Sequence, residues 1–276
     1  MTGNPLHLLP PQMLSRSWKV VVVGAGGTGS ALLPSLARLH HAMVELGHPG
    51  GIECTVYDDD TVSEFNVGRQ GFYPNDVGQY KATLLVNRLN LLMGTNWVAE
   101  PRRVDSRVNL HADMVIGCVD SRRARHAIVQ AAKRGKCLYY LDCGNETDRG
   151  QVILGEFGKP RHDRLPHVGD LFPDMLNAKN DKGDDSPSCS MADALRKQSL
   201  VINQAISVQA FNLLWSLFRN GGLTFSAVFV NLATGRTNPV PIDPDAWSRF
   251  GYEAPPAKRP PCSRKPARGT GRIRDQ

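Results

Sequence analysis

The chain has 276 residues, 41% of them hydrophobic, which is enough to enclose a core in one large domain or two small ones. Its formal net charge is +7. Residues 257–276 hold Lys258, Arg259, Arg264, Lys265, Arg268, Arg272 and Arg274 against Asp275 alone, so the body is close to neutral and a broadly basic nucleic-acid-binding surface is excluded.

Lys19–Val23 is a short β-branched run that stops at Gly24, and a helical stretch follows from about Thr28 to Leu46 with Leu32, Leu36, Leu39 and Met43 near helical spacing. Pro34 falls in its first turns, and His48-Pro49-Gly50-Gly51 ends it. Ile52–Tyr57 reads as a second strand running into Asp58-Asp59-Asp60. Strand, glycine turn, helix and strand make a βαβ unit, the opening of an α/β sheet. The pattern continues with a helix over Gln79–Leu92, strands over Trp97–Val104 and Met114–Val119, and a helix over Arg122–Arg134. Strands over Cys137–Asp142 and Gln151–Glu156 come next. Residues 158–188 lose periodicity and read as a long crossover loop. A helix is expected over Met191–Phe218, then strands over Leu223–Asn231 and Arg236–Pro241 around the turn Ala233-Thr234-Gly235.

No stretch approaches the roughly 20 apolar residues of a membrane-spanning helix, and residues 1–15 lack the basic start and apolar run of a secretion signal. The expected location is the cytoplasm. The organisation expected is one domain over residues 1–250 and a basic, Pro- and Gly-rich tail over 251–276. Such a tail suits a solubilising end, or contact with RNA, DNA or an acidic partner. The six cysteines include no C-x-x-C pair, so no structural zinc is expected. Cys54, Cys118, Cys137 and Cys143 lie in or beside apolar runs and read as core residues; Cys189 and Cys262 do not.

The turn Gly24-Ala25-Gly26-Gly27-Thr28-Gly29 lies directly between a strand and a helix, the context in which G-x-G-x-x-G binds a phosphate on the N–H groups of the helix. Asp58, at the end of the next strand, can accept from ribose hydroxyls. It lies 34 residues beyond Gly24, further than the ~20 residues of the nicotinamide fingerprint. A solvated turn is the plain reading of Asp59 and Asp60, and it is preferred for Asp59.

Five features in order carry a resemblance. They are the GxGGxG turn, the acidic strand end Val56-Tyr57-Asp58, then Asn66 with Arg69-Gln70, Val77-Gly78-Gln79-Tyr80-Lys81 opening a helix, and Asp120 after a strand. Over about residues 19–156 the chain resembles the adenylating family of ThiF, MoeB and the ubiquitin-activating enzymes. Within that family it looks most similar to the ThiF-type proteins of PRTRC gene systems, which occur beside ubiquitin-like and ubiquitin-conjugation-like proteins. The resemblance implies a Rossmann-like ThiF-type α/β fold, a mostly parallel sheet flanked by helices with antiparallel closing strands. It also implies an E1-like enzyme that uses ATP and Mg²⁺ to adenylate the C-terminal carboxylate of a ubiquitin-like protein. A homodimer and a conjugating-enzyme-like partner are implied with it.

The residues suit that chemistry on their own terms. A carboxylate attacking a phosphate brings two anions together, so the site needs fixed cations and a metal. Arg69 and Lys81 supply positive charge, and Asp120 at a strand's carboxyl end suits magnesium. The resemblance assigns the same roles, with Asp58 on ribose and Asn66 and Gln70 on the loop or phosphates. Gly24, Gly26, Gly27 and Gly29 complete the nucleotide-binding set. Arg16, ahead of the first strand, is the candidate for an extra γ-phosphate arginine. Pro187-Ser188-Cys189-Ser190 resembles the P-x-C-T element of ubiquitin-activating enzymes and makes Cys189 the candidate thioester nucleophile, with a thiol pKa lowered by the expected following helix. Two rival readings stand beside this one. An NAD-dependent oxidoreductase leaves Arg69, Lys81 and Asp120 unexplained, and a non-catalytic nucleotide-binding scaffold of a plasmid or conjugation system uses the tail instead.

Overall fold

The computed structural model describes residues 6–181 and 198–256. Ten strands and six α-helices appear among them: β1 (His7–Leu8), β2 (Trp18–Val23), α1 (Gly27–Glu45), β3 (Ile52–Tyr57), α2 (Lys81–Met93), β4 (Val98–Glu100), β5 (Met114–Gly117), α3 (Arg122–Arg134), β6 (Tyr139–Asn145), β7 (Arg149–Glu156), α4 (Val168–Leu171), α5 (Ile202–Arg219), β8 (Gly222–Leu223), β9 (Phe225–Asn231), β10 (Arg236–Pro241) and α6 (Pro244–Ser248).

Eight strands form one mixed sheet in the order β10-β9-β7-β6-β5-β2-β3-β4. The run β6-β5-β2-β3-β4 is parallel, and β7, β9 and β10 close it antiparallel. The chain leaves β2 for β3 and β4 on one side and returns to β5 on the other. The carboxyl ends of β2 and β5 therefore flank a topological switch point, where α/β sheets bind ligands. The valine run of β2 is apolar throughout because helices cover both faces of a parallel sheet, and Val22 is fully buried. The right-handed rule for parallel crossovers puts α1 and α2 on one face and α3 on the other; α1 packs against α2 and α5, and α3 packs on β5.

Leu32, Leu33, Leu36, Leu39 and Met43 line the buried stripe of α1. The helix ends where Gly47 turns to φ +89, with Gly47 N–H on the Val44 carbonyl and His48 N–H on that of Met43. This pair of hydrogen bonds is a Schellman motif, which a glycine in left-handed backbone makes without strain. Pro34 lies in the interior of α1, so the Ser30 carbonyl four residues before it has no helical N–H to accept.

Several element boundaries differ from those the pattern suggests. The second helix starts at Lys81, because Gln79 and Tyr80 are held in a turn that bridges Tyr80 to Thr61. The strand expected over Trp97–Val104 stops at Glu100, since Pro101 cannot continue it as a donor. β6 runs three residues past Asp142 because β7 pairs with it out to Asn145. Within the expected structureless span, α4 and two 3₁₀ turns cover Val168–Asn180. The long helix begins at Ile202 and does not reach back through residues 198–201, where Ser199 N–H binds the Thr147 carbonyl. Cys189 and the basic tail from residue 257 lie outside the described residues.

Candidate functional site

The glycine turn is built by close approach. Gly24 has φ +100, and a Cβ there would stand 2.4 Å from the Cys118 carbonyl oxygen. A Cβ on Gly29 would lie 1.9 Å from the Gly24 oxygen, and one on Gly27 would lie 2.5 Å from the Asn203 amide. These three glycines keep the start of α1 tight against β5 and α5. Gly26 differs, because nothing lies within 4 Å of a Cβ built on it. Among the described residues the N-cap of α1 is therefore open, and no side chain caps its N–H groups. An uncapped helix N-terminus facing free space is a ready site for an anion.

Asp58 clasps this turn. Its Oδ2 accepts from Ala25 N–H at 2.6 Å and its Oδ1 from Asp60 N–H at 2.9 Å. Burial pushes the carboxyl pKa up, against the opposite pull of those N–H groups and of Lys81. Each oxygen keeps a second lone pair, so a ribose hydroxyl can add to this arrangement.

Lys81 is 6% exposed and its Nζ lies 2.9 Å from Asp60 Oδ2. Asp60 is exposed and still binds the buried lysine, and Asp59 is exposed and paired with Arg103. Asn66 holds the loop, its Oδ1 accepting from Ser63 N–H while its carbonyl accepts from the N–H groups of Arg69 and Gln70. That loop docks on α1 through Gly71 N–H to Ser30 Oγ. Arg69 Nη1 donates to Gln198 Oε1 at 3.3 Å. Its Nε and the neighbouring Gln70 Oε1 are buried without a hydrogen-bond partner among the described residues. Burial depresses the Arg69 pKa, the expected direction for a cation without a nearby acid. Two adjacent polar atoms of this kind are open to a ligand or an ordered water.

Asp120 follows β5 at the same rim, exposed and without a hydrogen bond among the described residues. Val119 beside it would touch a Cβ on Gly24 at 3.3 Å. The buried guanidinium of Arg125 fixes this stretch, donating to the Val119 carbonyl at 2.9 Å and to Asp142 Oδ1 at 2.8 Å. Tyr140 OH also donates to that oxygen. The N-terminus of α3 next door is taken by Asp181, which accepts from Arg122 and Arg123 N–H at 2.8 Å each. Among the described residues no three His, Cys, Asp or Glu side chains gather as a metal cage. A lone open carboxylate fits magnesium, which binds through one or two carboxylates and completes its shell with phosphates and water.

Arg16 sits at the opposite edge. It forms a two-pronged bond to Asp113 at 2.6 and 2.7 Å, ahead of β2 and β5, whereas the glycine turn follows them. A six-residue strand puts about 20 Å between those ends, so Arg16 does not reach the turn of its own chain.

The sequence reading did not foresee an amide network across the site. Asn145 Nδ2 donates to Thr28 Oγ1 at 3.0 Å and to Asn203 Oδ1 at 2.8 Å, and Gln198 Nε2 donates to Asn145 Oδ1 at 2.9 Å. These residues come from α1, β6, α5 and the segment before it, and no local motif marks them. Beside Asn145 a groove of ≈ 350 Å³ crosses β7, β9 and β10 from the β6–β7 turn, lined by residues including Glu146, Arg149, Gln151 and Phe229. A larger groove of ≈ 540 Å³ on α2 lies away from these groups, and its exposed apolar walls bear no cluster of charges.

The ThiF family model matches residues 11–241. The chain is 32% identical over 127 residues to an adenylyltransferase and sulfurtransferase UBA4 of Yarrowia lipolytica, a match covering 44% of this chain and 29% of that protein. Among solved structures it is similar to Escherichia coli MccB with ATP, with TM-score 0.52 and 15% identity over 82% of this chain and 64% of that one. PaaA is similar as well, with TM-score 0.55 and 16% identity over 84% and 75%. The chain thus spans less than two thirds of the length of UBA4 and of MccB. A family match that spans the whole eight-stranded sheet and every candidate site residue carries one conclusion: the chain belongs to the ThiF family.

Proposed function

We propose that this protein binds Mg–ATP at the glycine turn and adenylates the C-terminal carboxylate of a small ubiquitin-like protein. The observation that carries the reading is Arg69, a half-buried guanidinium with no acidic partner among the described residues, hydrogen-bonded through Gln198 and Asn145 to the first turn of α1. The names of the relatives lend support, UBA4 as an adenylyltransferase and MccB as a protein solved with ATP.

In this reading the α1 N–H groups and Arg69 hold the phosphates, and Asp58 holds the ribose. Lys81, already drawn toward Asp58 and Asp60, adds a point charge. A magnesium ion at Asp120 would screen the phosphates. The incoming carboxylate oxygen bonds to the α-phosphorus as the bond to the bridging oxygen breaks, and pyrophosphate leaves with that electron pair. The small protein's tail lies in the groove beside Asn145. Cys189 then attacks the acyl carbon as thiolate, forming a thioester and releasing AMP. The described chain ends at Asp181 on the α3 N-terminus and resumes at Gln198 beside Arg69, so both anchors of the intervening stretch stand at the rim. Cys189 lies eight residues from Asp181, within about 29 Å of extended chain.

Exchange of labelled pyrophosphate into ATP tests the reading, using small ubiquitin-like proteins ending in glycine, with those encoded beside this protein as first choice. Exchange that depends on such a protein and on magnesium, and is lost in Asp120→Ala, is the expected result. No exchange with any of them refutes the activity. Cys189→Ala is expected to keep exchange and lose a reducible covalent complex, and a complex that persists removes the thioester step.

A further inference from the structure

Among the described residues, several largely buried cations pair with acids. Lys81 meets Asp60, Arg125 meets Asp142 and Arg88 meets Asp76. Arg69 meets the amide oxygen of Gln198, and among the described residues no carboxylate reaches it. The orientation of that amide is set by its surroundings. Gln198 Nε2 donates to Asn145 Oδ1 at 2.9 Å, which turns Oε1 toward Arg69 Nη1 at 3.3 Å and Asn203 Nδ2 at 3.4 Å. Asn145 cannot turn its own amide around freely, since its Nδ2 serves both Thr28 Oγ1 and Asn203 Oδ1. Asn203 is in turn wedged where a Cβ on Gly27 would stand. Ser199 N–H bound to the Thr147 carbonyl pins the backbone of this segment to the β6–β7 turn. The chain Thr28–Asn203–Asn145–Gln198 contains no ionisable side chain.

We propose that Gln198 is a positioning residue that holds the Arg69 guanidinium in place with a neutral amide, so that its charge remains available to a polyphosphate. This rests on the ATP reading for the identity of the ligand but not for the presence of an anion site. The physical content is a distinction between geometry and charge. A carboxylate at position 198 would hold Arg69 as well or better, and would cancel the charge that a triphosphate needs. An apolar isostere would release Arg69 but leave its charge.

The experiment titrates the full chain with Mg–ATP, adenosine and inorganic tripolyphosphate by calorimetry, comparing the parent with Gln198→Glu and Gln198→Met. Expected for Gln198→Glu is ATP binding weakened at least tenfold, a larger loss than in Gln198→Met, with adenosine affinity within twofold of the parent. A purely structural role for the amide predicts the reverse order, since Glu keeps the acceptor that Met removes. ATP binding in Gln198→Glu equal to the parent's, or no weaker than in Gln198→Met, overturns the proposal. Should Gln198→Glu fail to melt cooperatively, Gln198→Asp carries the same charge on a shorter stem and the same expectation. A parent that fails to bind ATP sinks the proposed function, and tripolyphosphate then decides this inference separately. Binding of that anion lost in Gln198→Glu sustains it; binding unchanged, or absent from the parent, overturns it.

Discussion

Gly26→Ala separates nucleotide binding from folding at a single atom. Among the described residues no atom lies within 4 Å of a Cβ placed there, so the added methyl points into the space above the α1 N-terminus. Alanine at an N-cap is a poorer choice than glycine, and the stability cost is expected to stay within about 1 kcal/mol. A phosphate bound to the turn would lose at least one charge-assisted hydrogen bond, worth roughly 1.5–3 kcal/mol. That corresponds to a weakening of roughly 10- to 150-fold in the dissociation constant for ATP. Gly29→Ala is the contrasting case, because its methyl would sit 1.9 Å from the Gly24 backbone oxygen and the turn itself must move. Thermal melts of the free proteins and calorimetric titration with Mg–ATP provide the two readings. Gly26→Ala is expected to melt like the parent and bind poorly, while Gly29→Ala melts early. A cooperatively folded Gly26→Ala that binds ATP within twofold of the parent would show that no phosphate approaches this turn.

Asp142→Asn leaves the buried guanidinium of Arg125 without its counter-charge, and a cost of about 3–5 kcal/mol is expected in urea denaturation. A loss below about 1 kcal/mol would mean that the Val119 carbonyl alone satisfies that arginine. Burial lowers the His167 pKa from 6.5 to about 4, so the unfolded chain binds the extra proton first. The contribution is fully present above pH 6.5 and is lost as pH falls toward 4, by about 3 kcal/mol at 1.36 kcal/mol per unit. His167→Asn keeps an acceptor for Gly169 N–H and is expected to flatten that slope; an unchanged slope places the titration elsewhere. Arg16→Ala removes a half-exposed pairing with Asp113 and is expected to cost at most about 1 kcal/mol, leaving ATP affinity intact. A tenfold loss of ATP affinity would return Arg16 to the site, from another copy of the chain.

Local pattern carried most of the α/β frame. β3, α3 and β10 have the bounds that periodicity and turn residues indicate, because Gly50-Gly51, Ser121 and Gly235 act within a few residues of themselves. The valine run before Gly24 and the leucine stripe of α1 likewise announce a buried strand and an amphipathic helix. Gly24 and Gly29 could be marked for the same reason, although only the structure says what each one touches. Elements whose existence depends on a distant partner were not legible. The two-residue strand β1 forms by pairing with β8, and β6 extends to Asn145 because β7 pairs with it. A helix pattern carried back to Met191 gives no sign that the backbone at Ser199 is claimed by Thr147.

The same division runs through the site. Residue type and order, through the family pattern they resemble, were enough to put forward the turn, Asp58, Arg69, Lys81 and Asp120 as candidates from sequence. Which partner each charge has was decided only in three dimensions. Asp60 engages Lys81, Asp113 holds Arg16 at the far edge, and Gln198 gives Arg69 a partner without charge. Such pairings join residues up to 129 positions apart, and no local periodicity encodes them, because they follow from where the strands and helices come to rest against one another.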